Sequence, residues 1–177
     1  MEPHRGDPGR TATSVSELSF DPLAGLRALV DEGVRFVLIG GYAAALRGSP
    51  MMTGDVDVCY ARDRRNLERM AAALHGLHAR LRGAPRGIRF QLDARSLAAG
   101  DHFTFSTDAG PIDCLGTPSG TEGFADLDAA ATDEDLGGLV VRVASLDDLI
   151  RMKRAAGRRQ DRIAIEWLEA IRDELES

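Results

Sequence analysis

Cysteine is scarce: Cys59 and Cys114 are the only two in 177 residues. They stand far apart, each inside an apolar stretch, which excludes a disulfide framework and a thiolate zinc site and suits free thiols in a reducing compartment. Long hydrophobic runs are missing as well. No stretch approaches the roughly 18 apolar residues of a membrane span, and the opening residues lack the apolar centre of a secretory signal. The expectation is a cytoplasmic protein that makes no membrane contact. Basic charge does not dominate either, since 28 acidic against 22 basic side chains leave a formal charge of −6. No overall basic field recruits nucleic acid, and any polynucleotide contact must be local. Aromatic residues make up 5%, too few for a base-stacking platform. No Walker-type lysine follows a glycine run and no GxGxxG opens a helix, so kinase-like and Rossmann readings lose ground.

What remains has the balance of a packed domain, with 44% apolar and 28% charged residues. Residues 1–19, with Pro3, Gly6, Pro8, Gly9 and a Thr/Ser run, offer little to bury and are expected to form a flexible tail. Residues 20–143 are expected to form an α+β core, and residues 144–177 helices packed on the same domain. Asp21 and Pro22 open a helix carrying Leu23, Leu26, Leu29 and Val30. Phe36 to Ile39 is a short apolar run, the pattern of a strand buried on both faces, closed by Gly40 and Gly41. Tyr42 to Arg47 favours helix, Asp55 to Tyr60 alternates as a strand, and Arg62 to Leu81 has the spacing of one long helix. A turn is expected at Ala84 to Gly87. Strands are expected over Ile88–Leu92, His102–Ser106, Gly110–Leu115 and Leu139–Val143. Ser145 caps a further helix, and Gln160 to Leu175 forms the last. Gly116 to Asp135 shows no clear pattern and could serve as a lid or partner surface.

The chemistry concentrates in two segments, Ile39-Gly40-Gly41-Tyr42 and Thr53-Gly54-Asp55-Val56-Asp57. Two residues apart on a strand, Asp55 and Asp57 point to one face with Cα atoms about 6 to 7 Å apart and can converge on a cation. Hard oxygen ligands of this kind suit magnesium or manganese. A solvated acidic edge strand accounts for the same spacing. The glycine pair lets backbone approach an anion closely where a helix begins, although a tight turn with no ligand has the same residues. Asp113, on a later strand, supplies a third carboxylate if that strand lies beside the first.

Weaker signals surround these. His75 and His78 lie three apart on the long helix with no further ligand nearby. Cys59 shares the Asp55 and Asp57 face but is a poor magnesium ligand and a good small filler. Arg151, Lys153, Arg154, Arg158, Arg159 and Arg162 are a basic concentration that could be a solvated helix face or a phosphate contact.

Taken in order, the glycine pair after an apolar strand, the Asp-x-Asp about a dozen residues on and the later lone aspartate resemble the DNA polymerase β-like nucleotidyltransferase superfamily. They are most similar to its small stand-alone bacterial members, which include the AbiEii-type toxins of toxin–antitoxin systems. The resemblance runs from about Phe36 to Trp167. It implies an α+β fold, a mixed short-stranded sheet of the nucleotidyltransferase type flanked by helices with a C-terminal helical segment. It also implies an enzyme that moves a nucleoside monophosphate from an NTP, ATP among them, to a hydroxyl. Asp55, Asp57 and Asp113 would be catalytic and hold Mg2+ or Mn2+, while Gly40, Gly41, Lys153 and Arg158 would bind the nucleotide. The acceptor would be a transfer RNA, a protein side chain or a small molecule, and a cognate antitoxin would be a partner. Met51 and Met52 stand where relatives often carry an arginine, and Ala164 where many carry an acidic residue. A nucleotide-sensing or partner-binding module without turnover is the alternative on the same fold.

Overall fold

The computed structural model describes residues 20–83 and 90–177. The expected tail at 1–19 and the turn at Ala84 to Gly87 lie outside the described residues. Helix α1 (Pro22–Asp31) starts where Asp21 accepts a hydrogen bond from the Ala24 amide at 3.0 Å. All four residues of β1 (Phe36–Ile39) are buried, because the strand runs between two neighbours with both faces covered. It passes straight into α2 (Gly40–Leu46), which begins two residues before the expected helix at Tyr42. After β2 (Val56–Tyr60) comes α3 (Arg64–Gly76), capped by the Asp63 side chain.

The long helix expected to reach Leu81 ends at Gly76, and β3 (Arg80–Leu81) follows as a short edge strand. Glycine favours helix poorly, His78 turns the chain at φ 50°, and pairing with β4 (His102–Thr107) supplies the backbone bonds that another helical turn would have made. Among the described residues of the expected Ile88–Leu92 strand, Phe90 to Leu92 form no strand. Phe90 instead packs on Phe103 and Phe105, with ring centroids 5.8 and 6.2 Å away. Asp93 then caps α4 (Ala94–Ala99), a helix the apolar pattern did not announce.

The chain continues through β5 (Gly110–Leu115), α5 (Phe124–Ala130), β6 (Thr132–Asp135), β7 (Val140–Val143), α6 (Leu146–Ala156) and α7 (Asp161–Leu175). The seven strands form one mixed sheet in the order β3-β4-β5-β2-β1-β7-β6. Neither α5 nor β6 was expected. The sequence of β6, Thr-Asp-Glu-Asp, has no apolar alternation, and tertiary bonds hold it. It pairs with β7, and Arg47 donates to the Val143 and Ala144 carbonyls and to Glu134, which ties α2 to both strands.

Alternation along the strands divides the sheet into two faces. Val56, Val58, Ile112, Cys114, Phe103 and Phe105 are buried on one, where α1 meets Ile112 through Gly25. Asp57, Asp113 and Thr104 point to the other. Asn66 at the head of α3 is buried and locks β1 and β2 together. Its Oδ1 accepts from the Arg35 amide at 2.7 Å, and its Nδ2 donates to the Arg35 and Ala61 carbonyls at 3.0 and 2.7 Å.

Replacing that amide with an apolar group would strand the Arg35 amide and the Ala61 carbonyl, while the Arg35 carbonyl keeps its bond from the Ala61 amide at 3.1 Å. Asn66→Leu is therefore expected to lower stability by about 2–4 kcal/mol in denaturant unfolding, whereas exposed Arg65→Leu should change it little.

Candidate functional site

Strand register puts the carboxylates together. Asp57 on β2 pairs with Asp113 on the parallel neighbour β5, with Ile39 of β1 on one side and Thr104 of β4 on the other. Asp55 sits just ahead of β2 rather than within it, and the Thr53 hydroxyl donates to its Oδ1 at 2.6 Å. One oxygen from each of Asp55, Asp57 and Asp113 lies within 4.8 Å of the others.

Gly40 and Gly41 serve these side chains directly. A Cβ at Gly40 would stand 2.0 Å from Asp57 Oδ2, and one at Gly41 would stand 2.7 Å from Thr53 Oγ1. Gly40 also adopts φ 69°, a left-handed conformation that glycine enters without strain. Before any ligand is considered, the space beside the bare backbone of the pair is taken by the Asp57 side chain of β2 and by Thr53.

Three anions at this spacing repel one another. Burial first, then the charges of Asp55 and Asp113, push the Asp57 carboxyl up to about 7, while the Gly41 amide and Lys153 pull it down. Asp113 is raised by burial and by Asp55, against the opposing pull of Thr104, His102 and Arg82. Its Oδ1 is buried with no hydrogen-bond partner among the described residues, and its Oδ2 lies 3.9 Å from His102 Nε2. Buried polar atoms are seldom left this way, and the three carboxylates are close enough together that they could hold a metal ion.

The carboxylates open into a cleft of about 470 Å³ between the sheet and the α6–α7 turn. Gly40, Gly41, Asp55, Asp57, Asp113, Lys153 and Arg158 all line it. Lys153, the single lysine of the chain, has Nζ 3.2 Å from Asp161 Oδ1. Arg158 follows Gly157, which ends α6 in the left-handed conformation at φ 63°. The rest of the basic concentration divides: Arg151 bonds Asp126 and Asp148, and Arg154 pairs with Glu169.

His102 lines the cleft as well, and the sequence pattern did not single it out. Only the β4–β5 pairing shows that it shares the Asp113 face. His75 and His78 cannot share a metal as a helical pair, because His78 lies beyond α3. The first bonds the Leu92 carbonyl and the second Asp108. Cys59 is buried with its thiol against the Gly116 carbonyl, and burial pushes it up to about 12. It is a filler.

The chain matches no family model and no curated protein. Among solved structures it is similar to the lincosamide antibiotic adenylyltransferase LnuA with lincomycin bound, at TM-score 0.56 and 13% identity over 86% of this chain and 99% of that one. The antibiotic-resistance factor ANT(2'')-Ia aligns at TM-score 0.54 and 16% identity, over 86% of this chain and 80% of that one. The fold is that of the nucleotidyltransferases. A Thermotoga maritima protein assigned to the same class aligns at TM-score 0.53 and 17% identity, over 86% of this chain and 88% of that one. At these identities the likeness is one of architecture, and the nucleotidyltransferase fold is the frame on which the acidic cleft sits.

The raised Asp57 carboxyl makes metal-free stability depend on pH. The folded chain keeps that proton up to about pH 7, whereas the unfolded chain loses it near pH 4, as an ordinary aspartate does. The folded state thus binds the extra proton between these values, and its stability falls as pH rises through them. Asp57→Asn should flatten the profile and stabilise the metal-free protein at pH 8 by about 1–2 kcal/mol, short of the full linkage value because the cleft is open to water. Thermal melts from about pH 5 to 8 with chelator present check this. Gly40→Ala should act oppositely, lowering the melting temperature at every pH by displacing Asp57.

Proposed function

We propose that this protein is a metal-dependent nucleotidyltransferase that moves a nucleoside monophosphate from an NTP to the hydroxyl of an acceptor and releases pyrophosphate. The observation that carries the proposal is the convergence of Asp55, Asp57 and Asp113 in the cleft, with a buried oxygen of Asp113 that has no hydrogen-bond partner among the described residues. The donor set is all carboxylate oxygen, which suits magnesium or manganese. Asp55, Asp57 and Asp113 would hold it. A divalent ion held there would supply Lewis-acid stabilisation of the charge that develops on the departing pyrophosphate.

The chain's own groups divide the remaining work. Lys153 and Arg158 bind the outer phosphates from the α6 side, and the backbone at Gly40 and Gly41 presents no side chain to obstruct them. Asp113 orients the acceptor hydroxyl and takes its proton at a carboxylate oxygen. The acceptor oxygen forms a bond to the α-phosphorus while the bond from that phosphorus to the bridging oxygen breaks. LnuA, a lincosamide adenylyltransferase, and ANT(2'')-Ia, solved with adenylyl-2''-tobramycin, support a hydroxyl-directed transfer on this fold. A toxin role with a cognate antitoxin belongs to the same proposal and rests on the motif resemblance alone.

One observation favours the alternative, a nucleotide-binding module without turnover. Met51 and Met52 form an apolar lip on the cleft where an arginine would meet phosphate, and Met52 is 99% exposed. Titration calorimetry with each NTP and Mg2+, followed by transfer assays with α-labelled NTP, separates the two. The transferase proposal expects Mg2+-dependent NTP binding, about tenfold weaker in Lys153→Ala, and transfer lost by about a thousandfold or more in Asp57→Asn. Binding with no labelled product for any acceptor would favour the module, and absence of NTP binding would overturn both.

A further inference from the structure

The apolar side chains left in water are not spread evenly. Of the seven large ones exposed among the described residues, three lie on α7: Ile163, Trp167 and Leu175. The chain's single tryptophan is thus 47% exposed, with Ile163 one turn earlier at 60%. The packing of α7 fixes where they point. Ala164 and Leu168 are buried against the domain. Glu169 and Arg172 pair with Arg154 and Asp147 of α6, which takes up one flank of the helix. At about 100° per residue, Ile163, Trp167, Ala170 and Glu174 form a stripe along the opposite flank, and all four are exposed.

Charge at the two ends of this stripe is of opposite sign. Arg159 and Arg162 stand at the start of α7, and Asp173, Glu174 and Glu176 at its end, on a helix of 15 residues that is about 22 Å long. Among the described residues, neither arginine nor either glutamate has an ion-pair partner, and Asp173 meets only its neighbour Arg172. A second copy laid antiparallel brings each basic end onto an acidic one, whereas a parallel copy sets like charges together. Antiparallel is also the arrangement that a two-fold axis gives when one patch meets itself. In that register Trp167 lies over the partner's Ala170, a large ring against a small side chain, and Arg162 faces the partner's Asp173.

We propose that α7 is a dimer interface, in which two copies of this chain pair antiparallel through Ile163, Trp167 and Ala170 with opposite charges closing both ends. The inference goes beyond the transferase reading and does not rest on it, since the acidic triad, Lys153 and Arg158 take no part. One helix against one helix covers less than the roughly 800 Å² per partner of a standard interface, so the dissociation constant is expected on the order of 10 μM.

The test is sedimentation velocity of the full chain from about 1 to 200 μM, which is expected to show a monomer passing into a dimer. Trp167→Ala and Ile163→Gln should each weaken the dimer by about tenfold or more. Arg162→Glu and Asp173→Arg each set like charges across the pair at two symmetric places and should weaken it by about three- to tenfold. The double variant Arg162→Glu/Asp173→Arg restores opposite charges and should recover most of the loss. All four sites are exposed, so melting at about 1 μM, where the chain is a monomer, should stay close to wild type. Were Trp167→Ala to melt early, the charge exchange still decides. A chain that stays monomeric throughout would overturn the proposal and leave the stripe to a different protein. A dimer indifferent to Trp167 and Ile163, or one that the double exchange does not recover, would overturn it as well.

Discussion

Asp57 and Asp113 stand side by side on parallel strands with Asp55 at their edge, and the repulsion among these three carboxylates is the constraint to which the surroundings answer. Holding them together requires rigid register, which the buried Asn66 supplies by tying β1 to the end of β2. Close quarters also require Gly40, since any larger residue would occupy the space of the Asp57 carboxylate. Close contact of this kind is relieved by the proton that Asp57 keeps up to about pH 7, or by a positive ligand.

Lys153 and Arg158 line the cleft on one side of the triad, and the charge of Arg82 acts on Asp113 from beyond the cleft. A divalent ion fits the triad, and phosphate groups fit the Lys153 and Arg158 side. The arginines of α6 do not act as one patch. Arg151 and Arg154 are engaged in ion pairs that hold the helix to its neighbours, whereas Lys153, paired with Asp161, and Arg158 line the cleft.

Much of this was legible in the sequence, for identifiable reasons. The buried run Phe36 to Ile39, the Asp21 and Ser145 caps and the alternation over Asp55 to Tyr60 are local signals, and the structure bears them out, with β2 starting one residue later at Val56. The seven residues singled out for the site do line one cleft. What escaped depends on contacts distant in the chain. The β6 strand has the composition of a loop and exists through β7 and Arg47. Phe90 reads as a strand residue but packs as a lid over Phe103 and Phe105. His102 acquires meaning only when β4 is known to pair with β5 beside Asp113. The glycine pair looked like a phosphate cradle, and sequence could not show that Asp57 and Thr53 fill its space first.

The central claim is that Asp55, Asp57 and Asp113 are a divalent-cation site. Crystals grown with Mn2+ and a non-hydrolysable NTP analogue, with anomalous scattering recorded at the manganese edge, test it most directly. The account predicts an anomalous peak among the three carboxylates with the triphosphate running toward Lys153 and Arg158. A triad closed on itself by shared protons, with manganese absent or bound elsewhere, would contradict it.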